Sequence, residues 1–350
     1  MRNRGIKILI VILVVLSILA GVLLAMSILG NSENKQKPDN TLISLGNDTG
    51  KQKEEEKKVK IYSGNDRSIA VMIDNHKSAW PQAGLNEAYL VYEIIVEGGE
   101  TRLMPVFKGV DLEKIGPVRS SRHYFLDYAL ENDAIYVHFG WSPQAEKDIK
   151  SLKVNNLNGI TQSSTDFWRV KDKKSPHNAV TSTKKILQMA ESKGYRTKSN
   201  AKRSVLNYQV DEIELASQKE ARNIVIPYSK SNTVSYTYDE VNKRYIRYAK
   251  NTKQTDWVTK QDIVTKNIII TFAQNYKLND PENKDRQGLK NIGDKKGYYI
   301  TNGKAIEIIC SKSSRTEATV YKDLQGNEIK VNDGNTFIQI CPIDANVIIE

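Results

Sequence analysis

The sequence of 350 residues predicts an α+β protein that is exported and held at a membrane. Three observations lead to this prediction. An apolar run covers residues 6–29, strand and helix patterns alternate between residues 68 and 205, and residues 220–350 consist almost wholly of strand and turn patterns. Short strands mixed with separate amphipathic helices are typical of layered α+β domains.

The apolar run at residues 6–29 is long enough to form a transmembrane helix, since about 20 apolar residues span a bilayer core. Basic side chains lie at its start, and none follows before Lys35. This asymmetry predicts a single-pass protein of the cell membrane whose folded region lies outside the cytoplasm. The run exceeds the ~7–15 apolar residues of a cleaved signal peptide, which favours an uncleaved signal anchor over residues 1–30. Cleavage after a small residue such as Ser27 is the alternative.

Residues 31–67 are polar and offer little apolar surface to offset the entropy of ordering. We expect this segment to be a disordered tether between the anchor and the folded part. The chain carries a net charge of +11. Outside the cytoplasm this charge favours anionic lipid headgroups, wall polymers or peptide carboxylates as partners, and it gives no indication of nucleic acid binding. Alternatively, the scattered lysines serve only solubility.

All four histidines lie between residues 76 and 177, which indicates that a site, if there is one, lies in this half. Within the segment 68–74, residues 69–73 are continuously apolar and predict a buried strand. The strand ends at Asp74, Asn75 and His76. Such residues at a strand end either form a site or cap a turn, because Asp and Asn also bond their own backbone.

The segment 90–107 predicts a β-hairpin with two glycines between its strands. If the glycines form a tight two-residue turn, Ile95 lies opposite Arg102. Glu93 and Glu97 then lie diagonal to that arginine, within reach of its long side chain. The cluster is either a functional pair of carboxylates whose pKa values depend on the arginine, or a row of ion pairs on a solvent-exposed face of the sheet.

An Arg-Ser-Ser-Arg motif precedes an amphipathic helix pattern, so Ser120 or Ser121 is expected to cap a helix. A helix N-terminus has free N–H groups and partial positive charge. With Arg119 and Arg122 beside it, it would form an anion pocket for phosphate or carboxylate. Alternatively, the two arginines pair with Asp74 or with the acids of the hairpin.

A predicted strand at residues 134–139 carries His138, and Ser142 is expected to cap the helix that follows. His177 and Asn178 follow a proline in a loop. This placement suits a general base or a ligand contact, although a lone loop histidine is more often neither. The histidines lack short metal-ligand spacing, so we expect no metal site and no cofactor unless the fold assembles one.

Residues 220–350 predict strands joined by turns. The Asn-Gly pair at residues 302–303 predicts a tight hairpin. Cys310 and Cys341 lie on predicted strands, where a disulfide and two buried thiols are both compatible with the sequence. The tyrosines between residues 236 and 248 are expected to pack within the sheet rather than to hold sugar rings.

The chain contains the stretches AVMIDNH, PQAGLNEAYLVYEIIVEGGETRLMPVF, IGPVRSSRHYF, DAIYVHFGWSPQAE and SPHN, and later KGYYITNGKAIEI, TVYKDLQGNEI and NDGNTFIQI. Together these stretches resemble the YerB-like family of exported bacterial lipoproteins, over roughly residues 60–345. The family is defined by domains of unknown function. The resemblance implies a layered ββα-type sandwich for an N-terminal domain at 68–205 and a smaller β-rich C-terminal domain at 220–350. It implies no activity, and the apolar anchor stands where many relatives carry a lipidated cysteine.

We therefore expect a non-enzymatic, membrane-tethered binding or accessory protein of the cell envelope. Its partner would be an anionic envelope ligand or another envelope protein. The predicted pocket consists of Asp74, Asn75, Glu93, Glu97, Arg102, Arg119, Ser120, Arg122, His138, Ser142, His177 and Asn178. One alternative is a cell-wall-directed hydrolase or transferase, with a glutamate as acid or base, His177 as a base and Arg119 as a clamp. A protein–protein adaptor is another.

Overall fold

The computed structural model describes residues 59–61, 64–200, 204–280 and 282–350, which belong to one compact unit. The predicted anchor at residues 1–30 lies outside the described residues, as does most of the predicted tether. Within the described part, no helix is long and apolar enough to cross a membrane. The last residues of the predicted tether are packed, since the backbone N–H of Ile61 donates to Asp333 at 2.9 Å and Arg67 is buried.

The described residues are mainly β-strand, with three short α-helices, so the α+β prediction is confirmed at that level. The helices are α1 (Phe125–Glu131), α2 (Pro143–Ser151) and α3 (Thr183–Ser192). The strands of the first half are β1 (Ile69–Val71), β2 (Ile73–Asp74), β3 (Leu90–Ile95), β4 (Thr101–Phe107), β5 (Ile135–His138), β6 (Asn156–Asn158), β7 (Trp168–Arg169), β8 (Ala179–Val180) and β9 (Tyr208–Gln209).

The strands of the second half are β10 (Asn223–Ser229), β11 (Asn232–Asp239), β12 (Arg244–Ala249), β13 (Thr252–Lys253), β14 (Val264–Thr265), β15 (Asn267–Lys277), β16 (Gln287–Lys290), β17 (Gly293–Thr301), β18 (Lys304–Lys312), β19 (Val320–Lys322), β20 (Val331–Asn332), β21 (Thr336–Pro342) and β22 (Ile348–Ile349). The Asn-Gly hairpin at 302–303 joins β17 to β18, as predicted.

Both halves of the chain contribute to one large sheet, with the strand order β19-β18-β17-β15-β21-β3-β4-β1-β5-β6. Near its centre, β21 from the end of the chain lies between β15 and β3 and runs parallel to both. A second sheet has the order β13-β12-β11-β10-β22. The large sheet therefore depends on strands from both ends of the described sequence.

The large sheet is buried on both faces, because the side chains of β3 pack alternately into two different hydrophobic cores. Val91 and Ile95 belong to a core that includes side chains of the second sheet and of α3. Tyr92 and Ile94, which point the other way, belong to a core that includes side chains of α1 and α2. Because successive strand residues face opposite sides, the large sheet is the middle layer between these elements.

The predicted register of the β3–β4 hairpin is wrong by one residue. Ile94, not Ile95, lies opposite Arg102, because residues 96–100 form a longer connection that contains the 3-10 turn Glu97–Gly99. Side chains alternate along a strand, so a one-residue shift places Arg102 on the face opposite to Glu93. The predicted Glu93–Arg102–Glu97 cluster does not form.

The predicted helix cap at Ser120 or Ser121 is also wrong. Helix α1 begins at Phe125 and its N-cap residue, Tyr124, makes no side-chain cap. The helix-terminus part of the predicted anion pocket is therefore not present. Ser142 does cap α2, since its hydroxyl accepts from the Ala145 backbone N–H.

Cys310 and Cys341 form no disulfide. Both are buried free thiols, which is the second of the two possibilities that the sequence allowed. They lie on β18 and β21, which are separated in the sheet by β17 and β15. Of the tyrosines predicted to pack within the sheet, Tyr236 and Tyr245 are fully buried, whereas Tyr238 and Tyr248 are partly exposed.

A fully buried ion pair joins the two sheets. Arg247 on β12 donates from Nη2 to Glu93 Oε2 on β3 at 2.9 Å, and neither side chain is exposed. The other oxygen of Glu93 accepts from Thr101 Oγ1 at 2.7 Å and from Asn75 Nδ2 at 3.1 Å. The cation that neutralises Glu93 thus comes from the second half of the chain, not from the hairpin.

We expect Arg247→Met to lower the free energy of unfolding by about 3–5 kcal/mol, because it leaves the Glu93 carboxylate buried without a cation. Equilibrium unfolding in urea measures the loss. The matched control is Lys150→Ala, which removes the exposed ion pair with Glu146 on α2 and should cost less than about 0.5 kcal/mol. Equal losses for the two variants would contradict the role given to the buried pair.

Candidate functional site

A cleft of about 280 Å³ opens where β2 and the β3–β4 hairpin end. It is rich in charged side chains and contains two of the four histidines. The lining residues are Asp74, His76, Val96, Glu97, Glu100, Thr101, Arg102, Arg119, Arg122, His177, Lys284 and Arg286. Six of the twelve predicted pocket residues are among them.

Asp74 lies at the end of β2 and organises one wall of the cleft. Its partner in the strand register is Arg102 on β4, so the two side chains share a face of the sheet. His177 Nδ1 lies 2.7 Å from Asp74 Oδ2, and the same oxygen lies 3.1 Å from Arg119 Nε. Because the carboxylate accepts, Nδ1 carries the proton, and Nε2 of a neutral His177 keeps its lone pair.

His76 stacks on His177, with ring centroids 4.8 Å apart and an angle of 17° between the rings. Its Nδ1 accepts from the backbone N–H of Ser78 at 3.1 Å, which directs the proton of the neutral ring to Nε2. His76 was not among the predicted pocket residues. Its position two residues after Asp74, at the same strand end, was the sequence signal that could have included it.

Glu97 and Arg122 form a two-point ion pair at the opposite wall. Arg122 Nε and Nη2 donate to the two carboxylate oxygens of Glu97 at 2.5 and 2.9 Å, and Nη1 donates to the Ser121 carbonyl at 2.7 Å. Burial alone would raise the pKa of the Glu97 carboxyl. The hydrogen bond and charge of Arg122, with the charge of Arg102, outweigh burial and lower this pKa. Each nitrogen of Arg122 thus makes a hydrogen bond within the protein, and Arg122 holds Glu97 ionised.

Among the described residues, Arg102 is the cleft arginine that makes no ion pair, whereas Arg119, Arg122 and Arg286 each make one or more. Arg102 is 6% exposed, and its Nη1 donates to the Ser120 carbonyl. Within the described part of the chain, its Nε and Nη2 donate to no protein acceptor, and neither nitrogen is among the fully buried polar atoms, so both remain open to solvent. Burial, together with the positive charges of Arg122 and Arg119, lowers the pKa of Arg102 to about 9. Such a group gains most from an anion, which supplies both hydrogen bonds and charge.

The inner cleft has an excess of positive charge. Three guanidiniums, of Arg102, Arg119 and Arg122, face two carboxylates, of Asp74 and Glu97. The other charged lining residues have partners nearby. Glu100 pairs with Lys250, Lys284 with Glu282, and Arg286 with Asp280 and Glu282. The excess therefore remains at the three inner arginines, where it favours a small anion.

Two predicted pocket residues, Asn75 and Glu93, lie beneath the cleft rather than on its wall. Asn75 is buried, donates to Glu93 and to Thr101, and accepts from Gln82 Nε2 at 2.8 Å. Both polar groups of Asn75 are thus used within the protein. They support the turn that carries Asp74 and His76.

The remaining four predicted residues serve local structure. The backbone carbonyl of Ser120 accepts a hydrogen bond from Arg102, and Ser142 caps α2. Asn178 accepts from Arg169 Nη1 at 2.6 Å. His138 is fully buried, and its Nδ1 lies 2.8 Å from the Gly140 carbonyl. Burial lowers the pKa of His138 to about 4, so it stays neutral and has no contact with the cleft.

The two glutamates do not form an acid–base pair in the cleft. Glu93 is closed from solvent, and Glu97 is held by Arg122 on both oxygens. The Thr101 hydroxyl is engaged with Glu93 and Asn75. In the described ranges, no group of three or more His, Cys, Asp or Glu side chains could hold a metal ion. The Asp74–His177 pair is the arrangement in the cleft that is suited to proton transfer.

We expect Glu97→Gln to lower the free energy of unfolding by about 1–2 kcal/mol near neutral pH, because it removes a charged partner of Arg122. The folded-state pKa of Glu97 is lowered, so its contribution is present above the ordinary value of 4.5 and is lost as the pH falls through the folded value. Urea unfolding at several pH values measures the difference. Glu146→Gln, at a half-buried position outside the cleft, is the control. A difference that does not shrink below about pH 4.5 would contradict this assignment.

Two family models match successive regions of this chain. The family model described as "Protein of unknown function (DUF3048) N-terminal domain" matches residues 49–196, and its C-terminal counterpart matches residues 224–338. "Putative lipoprotein YerB" of Bacillus subtilis (strain 168) is 33% identical over 291 residues, which cover 80% of this chain and 82% of the relative.

A crystal structure of the YerB protein from Bacillus subtilis has the same fold. It superposes with a TM-score of 0.72 at 32% identity, over 81% of this chain and 94% of the solved one. The two family domains, together with the similarity to YerB over about four fifths of the chain, show that this chain belongs to the YerB-like family of proteins with DUF3048 N-terminal and C-terminal domains.

Proposed function

We propose that this protein is a membrane-attached, extracytoplasmic protein of the bacterial cell envelope that binds the anionic group of an envelope component. The location is supported by the name of its relative, a lipoprotein, and by the apolar run at residues 6–29. The arginine-lined cleft supports the binding role. The anion would belong to a wall polymer, a lipid headgroup or a peptide.

The observation that carries the proposal is the incompletely satisfied guanidinium of Arg102. A buried cation needs either a paired carboxylate or a full set of acceptors. In the described residues, Arg102 has one carbonyl acceptor and lies among two further arginines. Arg119 lies beside it and is 27% exposed on its side chain. An anion placed between the two would receive charged hydrogen bonds from both.

The competing interpretation is that the three arginines only hold the hairpin in place. It accounts well for Arg122, whose three nitrogens are all used by Glu97 and Ser121. It does not account for the free donors of Arg102 or for the exposed part of Arg119. Those two residues therefore test the proposal, and Arg122 does not.

We expect inorganic phosphate to bind the full-length chain in detergent, with binding weakened at least about tenfold by Arg119→Gln, since a charged hydrogen bond contributes about 1.5–3 kcal/mol. Isothermal titration calorimetry at low ionic strength measures the affinity for phosphate. Acetate in a parallel titration shows whether a carboxylate binds as well. Arg102→Gln should weaken binding similarly and provides a second variant.

The matched control is Arg222→Gln, because Arg222 is exposed and pairs with Glu240 outside the cleft. We expect it to leave phosphate affinity unchanged. Equal affinity in Arg119→Gln, Arg102→Gln and the unaltered chain would overturn the proposal. A parallel loss in Arg222→Gln would show that binding reflects the net charge of the protein.

A further inference from the structure

We propose that the cleft hydrolyses phosphodiesters, with His177 as the general base and Asp74 as its positioning residue. This inference rests on the proposed function, because the same arginines would hold the phosphate. The geometry that leads to it is the juxtaposition of the Asp74–His177 hydrogen bond with the donors of Arg102 and Arg119.

In a cleft that only binds an anion, Asp74 would serve to orient Arg119, whose Nε lies 3.1 Å from its Oδ2, and would need no contact with His177. The Asp74 side chain is 6% exposed, and the carboxylate cancels part of the positive charge that attracts the ligand. It also accepts from the His76 backbone N–H at 3.1 Å and so is fixed in direction. A fixed carboxylate behind an imidazole holds one tautomer and stabilises the imidazolium that forms when the ring takes a proton. That arrangement serves proton transfer, not charge attraction.

The attacking group is water, because the cleft wall offers no free nucleophile. Thr101 is the lining residue with a hydroxyl, and its oxygen is buried between Glu93 and Asn75. Both cysteines are buried on other strands, and burial raises their pKa values, to about 12 for Cys310. In the described part of the chain, His177 Nε2 has no protein partner and can take a proton from a bound water.

The guanidiniums select a phosphodiester over other esters. A carboxyl ester develops one oxyanion, which enzymes usually hold with backbone N–H groups. A phosphodiester carries one full negative charge, spread over two oxygens that planar guanidiniums match well. That single charge equals the excess of the inner cleft, where three arginines face two carboxylates. The volume of about 280 Å³ suits a phosphate with a small flanking alcohol.

The reaction balances without a further reactant. Water gives a proton to His177 Nε2, and its oxygen forms a bond to phosphorus. One phosphorus–oxygen ester bond breaks, and the leaving alkoxide takes a proton from solvent water. The hydroxide that remains takes the proton from His177. The products are a phosphomonoester and an alcohol, while Arg102 and Arg119 stabilise the charge on the phosphoryl oxygens in the transition state.

The test uses the full-length chain in detergent and bis(4-nitrophenyl) phosphate, whose hydrolysis releases coloured 4-nitrophenolate. We expect His177→Ala to lower kcat by about 10²–10⁴-fold with little change in KM, because it removes the base but not the arginines. Added imidazole should restore part of the rate in this variant. A merely structural role for His177 would give no such rescue.

Asp74→Asn should also lower kcat, with a smaller change in KM, since the amide no longer favours the reactive tautomer of His177. His123→Gln is the matched control, because His123 does not line the cleft, and we expect it to keep the full rate. Phosphatidylglycerol vesicles and a poly(glycerol phosphate) separate a lipid from a polymer as the source of the diester. Release of glycerol or of a phosphomonoester from either one supports the inference.

The outcomes distinguish this inference from the proposed function. If phosphate binds through Arg102 and Arg119 but none of the three diesters is hydrolysed, the hydrolytic inference is overturned and the binding function stands. If His177→Ala is as active as the unaltered chain, the assignment of the base is overturned. If phosphate does not bind at all, both proposals are overturned.

Discussion

The buried charge of Glu93 is the constraint on which the cleft depends. Glu93 is fully buried, so its charge requires both a cation and hydrogen bonds from the protein. Arg247 supplies the cation from the second sheet, while Asn75 and Thr101 supply hydrogen bonds. Asn75 is thereby fixed next to Asp74, and Thr101 is fixed at the start of β4. The same pair that joins the sheets thus sets the floor of the cleft.

Above that floor, the charged groups divide into those that hold the cleft together and those that remain free to act. Arg122 uses its three nitrogens within the protein and closes the hairpin through Glu97. Arg102 and Arg119 keep unshared donors, and His177 keeps a free nitrogen in front of Asp74. A cleft of this composition can hold a phosphate and move a proton beside it, which is how we connect the geometry to function.

Some local features of the structure could be predicted from the sequence, although the cap predicted at Ser120 or Ser121 was wrong, and the long-range features could not be predicted. The Ser142 cap and the hairpin at 302–303 depend on neighbouring residues, and both are as expected. The position of Arg102 depends on the length of a glycine turn, and an error of one residue reversed its face. Arg247 lies 154 positions after Glu93 in the sequence, and no local sequence pattern indicates that the two form a pair. The stacking of His76 on His177 likewise arises only when a distant loop returns to β2.

The most direct measurement is a crystal structure of the protein soaked with tungstate, a tetrahedral oxyanion that is easily located by its anomalous scattering. We expect a tungstate site between the guanidiniums of Arg102 and Arg119, with one oxygen directed towards His177. This position follows from the free donors of both arginines and needs no movement of the hairpin. Tungstate bound elsewhere, with none in the cleft at saturating concentration, would contradict the anion site and the functions built on it.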